Sequence, residues 1–125
     1  MNFKQQELDL LIGGPPCQGF SRHRIKGKGV NDPRNSLLIR YFDFVRELRP
    51  KVFLVENVPG LLWKCHEPYL QKFENLSRRN GYKLVGPDKL NAKDFGVPQN
   101  RIRVFILGVR TDIRSKYTAW PPKST

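Results

Sequence analysis

The stretch that decides the fold is residues 8–17, LDLLIGGPPC, an apolar run that stops abruptly at two glycines and two prolines. A short apolar run bounded by turn residues is typical of a buried β-strand. Cys17 therefore follows the C-terminal end of a strand, which is where open α/β sheets bind their ligands. A cysteine at such a corner, followed by polar and basic residues, is placed as a thiolate nucleophile would be.

A helix and a second strand follow along the chain. Residues 35 and 36, Asn-Ser, resemble a helix N-cap, and apolar residues then recur at helical spacing until Pro50 ends the helix. Residues 52–55 predict a buried strand that ends at Glu56. Because the two strands of a strand–helix–strand unit are expected to be parallel, Cys17 and Glu56 should lie at the same edge of the sheet.

The rest of the chain predicts one more helix and two more strands. The helix spans about 66–79, and the strands span 82–85 and 104–109. Between the strands lies the sequence QNRIR at 99–103, where alternation should send Arg101 and Arg103 to the same face. Paired guanidinium groups suit a phosphate, a carboxylate or a base with a carbonyl edge. Residues 120–125 have no predicted partner element and are expected to form a loose tail.

Composition limits the class of protein. The 125 residues are enough for one domain, and 23 Lys and Arg against 11 Asp and Glu give a formal charge of +12, which favours nucleic acid as a partner. No apolar run approaches the length of a membrane span. The two cysteines and two histidines do not have the spacing of a metal site. We therefore expect a reduced, intracellular protein without a structural metal.

Three motifs in order carry a family resemblance. PPCQGFS at 15–21, ENV at 56–58 and QNRIR at 99–103 together resemble the carbon-5 cytosine methyltransferases of DNA, over about residues 9–110. The resemblance implies a partial Rossmann-like, S-adenosylmethionine-dependent α/β sheet, mostly parallel with an antiparallel late strand. It also implies methyl transfer from S-adenosylmethionine to carbon 5 of a flipped cytosine through a covalent cysteine adduct, a reaction that serves restriction–modification in this family.

The resemblance assigns roles to individual residues. Cys17 would be the nucleophile, Glu56 would contact the pyrimidine ring nitrogen, and Arg101 and Arg103 would hold the base and the catalytic loop. Gly14, Pro16 and Leu37 would lie near the methionine end of the cofactor. Contacts to double-stranded DNA would come from the loop after Cys17 and from one residue beside the arginines, namely Gln18, Ser21, Arg22, Arg24, Lys26, Lys28 and Gln99.

The sequence departs from the family at both ends. It lacks the aromatic-x-Gly-x-Gly cofactor turn before the cysteine strand and the target-recognition region after QNRIR. We therefore expect residues 1–115 to be a catalytic core fragment with an incomplete cofactor site, and residues 116–125 to be a tail. The cysteine strand should expose an apolar edge that invites a complementary fragment or self-association. Alone, the chain is expected to bind S-adenosylmethionine poorly and not to turn over.

Two alternatives stay open on the sequence. Related enzymes that methylate cytosine in transfer RNA share these motifs, and a non-catalytic nucleic-acid-binding remnant would keep the same scaffold. The sequence specifies neither the DNA recognition site nor a partner endonuclease. The expected location is the cytoplasm of a prokaryote or the nucleus of a eukaryote.

Overall fold

The computed structural model describes residues 5–15, 36–113 and 120–124. Its main elements, in chain order, are β1 (Leu10–Gly13), α1 (Ser36–Leu48), β2 (Val52–Asn57), α2 (Glu67–Arg79), β3 (Tyr82–Asn91) and β4 (Ile102–Arg110). Short 3₁₀ helices occupy Pro59–Leu62, Lys64–His66 and Ala92–Phe95. None of the described helices is long and apolar enough to cross a membrane.

The four strands form one sheet in the order β1-β2-β4-β3. β1 and β2 are parallel, whereas β4 is antiparallel to both of its neighbours. Three of the described strands therefore run in one direction, and β4, the last in the chain, runs against them. This arrangement confirms the predicted α/β sheet with an antiparallel late strand, and it confirms the parallel pair of β1 and β2.

The core lies on one face of the sheet, under both α-helices. The buried face of α1 consists of apolar residues at helical spacing, namely Leu38, Tyr41, Phe42, Val45 and Leu48. Phe73 of α2 packs edge-on against Phe42 and Phe53, with ring centroids 5.8 and 5.9 Å away. Aromatic pairs in this geometry add roughly 0.5–1.5 kcal/mol each beyond the apolar area they bury. The aromatic cluster therefore fixes how the helices sit on β2.

One glycine allows the central strands to accept this cluster. Gly108 of β4 is the register partner of Phe53, and a Cβ on Gly108 would lie 2.1 Å from the Phe53 ring. No side chain fits at that distance, so the ring occupies the space a side chain would need.

The ends of α2 follow the sequence signals. Pro68 lies in the first turn, where its missing N–H costs nothing. Asn80 caps the other end, and Gly81 takes a positive φ of 82°, the conformation that favours glycine after a helix.

The prediction that the first strand is buried is wrong. Leu10 and Ile12 are 48% and 62% exposed. β1 is an outer strand of the described sheet, and these two side chains point away from the face that the helices cover.

Two larger differences from the predictions concern β3 and Trp120. β3 continues to Asn91 and does not end at Val85, since a register shift between Val85 and Asp88 accommodates Gly86 and Pro87 without ending the strand. Trp120 is not part of a loose tail. Its indole N–H donates to Asp88 Oδ2 at 3.2 Å, and its ring packs edge-on against Phe105.

Candidate active site

The site lies at the sheet edge where the C-terminal ends of β1, β2 and β3 meet the N-terminal end of β4. β1 and β2 are parallel, so their C-terminal ends share this edge, and the reversed direction of β4 brings its N-terminal end there too. Glu56 stands near the end of β2, opposite Phe105 of β4. The direction of β4 is therefore what places Arg103 beside the glutamate.

A half-buried ion pair joins Glu56 to Arg103. Arg103 Nε lies 3.2 Å from Glu56 Oε1, and the two side chains are 26% and 36% exposed. A pair with this much solvent contact adds only about 0–1 kcal/mol to stability. Its main effect is to orient the Glu56 carboxyl group, leaving Oε2 directed toward β1.

The chain leaving β1 approaches this carboxyl group closely. A Cβ on Gly14 would lie 3.0 Å from Glu56 Oε2, so a glycine here keeps the approach open. The buried Asn57 amide donates to the Pro15 carbonyl oxygen at 3.3 Å, and its Oδ1 accepts from the Val58 backbone N–H at 2.9 Å. Asn57 therefore fastens the chain to β2 two residues before Cys17.

A second asparagine holds the loop that carries the arginines. Asn91 Oδ1 accepts from the backbone N–H groups of Lys93 and Arg101 at 3.2 and 3.0 Å. Its Nδ2 donates to Asn100 Oδ1 at 2.6 Å. The Ala92 N–H also donates to the Arg101 carbonyl oxygen at 3.0 Å. These bonds close the base of the loop and fix where Arg101 enters β4.

A concave pocket of about 210 Å³ opens between the end of β3 and the start of β4. We call it the β3–β4 pocket. Its walls are mostly apolar and comprise Leu90, Ala92, Phe95, Phe105 and Pro122. Arg101 and Arg103 also line it, so the alternation predicted for these two residues brings both to one cavity.

Tyr41 links the first two strands behind the site. Its hydroxyl lies 3.1 Å from the carbonyl oxygens of Leu11 and Leu54 and can donate to either. Burial, the largest effect on this group, raises the pKa of Tyr41 far above its ordinary value. The hydroxyl therefore stays protonated and remains a donor at neutral pH.

Comparison with known proteins adds the family. The family model of C-5 cytosine-specific DNA methylases matches residues 1–125. The chain belongs to this family. The Type II methyltransferase M.MthTI of Methanothermobacter thermautotrophicus is 45% identical over 109 residues, covering 86% of this chain and 32% of that protein. M.NgoPII of Neisseria gonorrhoeae, another Type II methyltransferase, is 39% identical over 120 residues, with 96% and 34% covered.

A solved structure agrees with this membership. A DNA modification methyltransferase encoded within an E. coli prophage matches with a TM-score of 0.76 and 35% identity, covering 94% of this chain and 31% of that one. The chain thus spans about a third of the length of each of these three methylase-family proteins.

The structure brings together only some of the residues that the methylase resemblance assigns. Gly14, Glu56, Arg101 and Arg103 lie at the one sheet edge, and Leu37 is half-buried in the first turn of α1. Gln99 is exposed, and its backbone N–H donates to the Val97 carbonyl oxygen at 2.7 Å. Several assigned residues lie outside the described ranges, namely Pro16, Cys17, Gln18, Ser21, Arg22, Arg24, Lys26 and Lys28.

Sequence reasoning missed the residues that hold the described part of the candidate site in place. Asn57, Asn91 and Tyr41 act through hydrogen bonds to chain segments that are distant in sequence, and Phe105 forms a wall of the β3–β4 pocket. Of these residues, only Asn57 could have been noticed in the sequence. Alternation along β2 predicts a buried side chain at position 57, and the residue there is polar. Among the described residues, no group of three or more His, Cys, Asp or Glu could hold a metal ion.

Proposed function

We propose that this chain carries the catalytic centre of a DNA cytosine-5 methyltransferase. The observation that supports this most directly is the position of Glu56. Its carboxyl group is oriented by Arg103 and lies against Gly14, three residues before Cys17. A carboxyl group at that position can reach the same small substrate as a nucleophile on the turn after β1.

The proposed reaction uses this pair on a cytosine flipped out of the duplex. The Cys17 thiolate forms a bond to carbon 6 while Glu56 gives a proton or a strong hydrogen bond to the ring nitrogen. Carbon 5 then becomes nucleophilic enough to accept a methyl group. Loss of the carbon 5 proton, with cleavage of the bond between sulfur and carbon 6, restores the aromatic ring and the cysteine. Flipping costs a few kcal/mol, which nucleic-acid binding must offset.

The neighbouring residues fit S-adenosylmethionine as the cofactor. When bound, this cofactor supplies the electrophilic methyl group. Gly14 is exposed and carries no side chain at the point where one would approach the Glu56 carboxylate. Leu37 offers half-buried apolar surface in the first turn of α1. These two residues, with Pro16, would hold the methionine end next to the reacting ring.

Duplex DNA is the proposed substrate on charge grounds. The chain has a formal charge of +12, and the segment after Cys17 contains five Lys and Arg within residues 22–34. Contacts from such side chains to phosphates give affinity without sequence information and weaken as salt concentration rises.

A graft tests the proposal, because the chain covers only part of its relatives. The matched segment of M.MthTI, 45% identical over 109 residues, is replaced by the corresponding segment of this chain. We expect the chimaera to methylate duplex DNA, measured as transfer of radiolabelled methyl groups. Cys17→Ser should abolish transfer, and Glu56→Gln should lower kcat by about 10²-fold or more, the usual contribution of a positioned acid or base. Glu47→Gln, on the exposed side of α1, is the matched control.

Three measurements can overturn the proposal. The Cys17→Ser chimaera could keep its methyl transfer, which would exclude the cysteine adduct. The chimaera could methylate transfer RNA and not duplex DNA, which would replace the substrate. A duplex containing 5-fluorocytosine could fail to trap an active chimaera covalently, which would exclude attack at carbon 6. For the chain alone, calorimetry should show a dissociation constant for S-adenosylmethionine weaker than micromolar.

A further inference from the structure

The β3–β4 pocket is separate from the place proposed for the target cytosine. Its lining includes neither Glu56 nor Gly14, and it opens on the far side of Arg103, toward β3. Arg103 is the residue common to both places, since its Nε faces Glu56 while its side chain also lines the pocket. A ligand in this pocket would therefore be an immediate neighbour of the target base.

The size and walls of the pocket suit one ring system. Its volume of about 210 Å³ is below the roughly 300–1,000 Å³ typical of sites for drug-sized ligands. Phe95 and Phe105 both contribute to the walls. Phe105 is held by Trp120, whose ring packs edge-on against it with centroids 6.2 Å apart. Aromatic side chains fixed in this way are the usual stacking surfaces for single bases.

The rim of the pocket carries positive charge. Arg101 is exposed, and within the described ranges its side chain makes no hydrogen bond or ion pair. Its guanidinium group is therefore available to a ligand, whereas Arg103 is already paired with Glu56. An apolar side chain of a protein would gain nothing from a free guanidinium group at the rim. A nucleotide can use both features, since its base can stack on the aromatic walls and its phosphate can bind the guanidinium group of Arg101.

We propose that the β3–β4 pocket binds a second nucleobase, one next to the target cytosine, with its phosphate on Arg101. This inference rests on the proposed function in two respects: it takes nucleic acid as the ligand, and it places the target cytosine at Glu56. The target pyrimidine would lie on the Glu56 side of Arg103, and the neighbouring base would stack on the Phe95 and Phe105 side. The pocket would thus help to keep the strand open around the reacting base.

Fluorescence of Trp120 can test the pocket in the full chain. The chain has two tryptophans, so Trp63→Phe leaves Trp120 as the only one. The probes are deoxyadenosine and deoxycytidine monophosphates, the free nucleosides, inorganic phosphate and N-acetylphenylalanine amide. We expect saturable changes with both monophosphates, weaker binding of the nucleosides, and no change with phosphate.

Variants identify the contacts. Phe95→Leu keeps apolar volume but removes the ring, and it should weaken monophosphate binding at least about five-fold, the low end of a stacking contribution. Arg101→Ala should weaken the monophosphates more than the nucleosides. Phe44→Ala and Arg40→Ala, both at exposed positions of α1, should leave the affinities for the monophosphates and for the nucleosides unchanged. Circular dichroism of each variant confirms that it is folded.

Each contrary result overturns the inference in a distinct way. Unchanged affinity in folded Phe95→Leu would exclude stacking, and binding of phosphate as strong as that of the nucleotides would reduce the pocket to an anion site. Tighter binding of N-acetylphenylalanine amide would assign it to a protein side chain. The test needs no methyl transfer, so an inactive graft with an intact pocket would reject the proposed function alone. An active graft without nucleotide binding would reject only the pocket.

Discussion

Two adjacent glycines at the end of β1 should respond very differently to the same added methyl group. A Cβ on Gly13 would lie 2.2 Å from Tyr41 Cε2 and 2.6 Å from Cδ2, which is a severe clash with the ring. The Tyr41 ring is buried and its hydroxyl is hydrogen-bonded, so it cannot move away easily. A Cβ on Gly14 would have Glu56 Oε2 as its nearest neighbour, at 3.0 Å. That oxygen ends a flexible, half-exposed side chain, so it can move.

The expected cost follows from what must shift. Gly13→Ala forces the Tyr41 ring aside, an overpacking cost of about 1–3 kcal/mol, and it removes a hydroxyl bond that contributes about 0.5–1.5 kcal/mol. Gly14→Ala should cost less than about 0.5 kcal/mol. In a domain of this size each kcal/mol lowers Tm by about 4 °C. Gly13→Ala should therefore lower Tm by about 6 °C or more, and Gly14→Ala by about 2 °C or less.

Thermal unfolding followed by circular dichroism measures both variants. Tyr41→Leu supplies the test of cause, because removing the ring should relieve its clash with the methyl group added at position 13. The double variant Gly13→Ala/Tyr41→Leu should be at least about 1 kcal/mol more stable than the two single effects predict by addition. The reasoning fails if the two glycine variants unfold at the same temperature, or if the double variant shows no coupling.

Other expectations concern the residues that hold the site and the buried tyrosines. Asn57→Ala leaves a backbone N–H and a carbonyl oxygen without their partner, so urea unfolding should show a loss of about 1–3 kcal/mol. Asn91→Ala should release the loop at Arg101, seen as faster hydrogen exchange of the Arg101 amide, and should lower kcat in the M.MthTI graft. Burial raises the pKa of both Tyr41 and Tyr82. Stability should therefore hold up to about pH 10, the unfolded value, and then fall as pH rises toward the folded values. The slope from Tyr41 should be up to about 1.4 kcal/mol per pH unit.

Matched variants separate these effects from general damage. Asn75→Ala removes an exposed asparagine of α2 and should leave stability and loop exchange unchanged. A fast Arg101 amide in the parent chain would contradict the role given to Asn91. Tyr82→Phe should reduce the loss of stability between pH 8 and pH 11, and an equal loss in that variant would contradict burial as its cause.

The strand–helix–strand unit could be predicted because its signals are local. The apolar positions of α1 recur at helical spacing, and Pro50 and Gly81 mark helix ends through their own backbone preferences. The approach of Glu56 to the turn after β1 followed from parallel pairing alone. The alternation that places Arg101 and Arg103 in one pocket is likewise a property of the strand itself.

The remaining features depend on partners that are distant in sequence. An apolar run such as LDLLI reads the same at an edge as in the middle of a sheet, so the exposure of Leu10 and Ile12 could not be read from it. Gly86 and Pro87 read as a strand end because proline cannot donate to a ladder, yet the register shift retains them within β3. The Asn57 bond to Pro15 spans 42 residues, and no local pattern encodes it.

The two outer strands of the described sheet, β1 and β3, differ in how readily a further strand could pair with them. β3 carries exposed Lys83 and Lys89 and is interrupted at Pro87, features that discourage a further strand. β1 has only apolar residues and a glycine, with no charge and no proline of its own. Of the two outer strands described, β1 is therefore the one beside which we expect a further strand to pair.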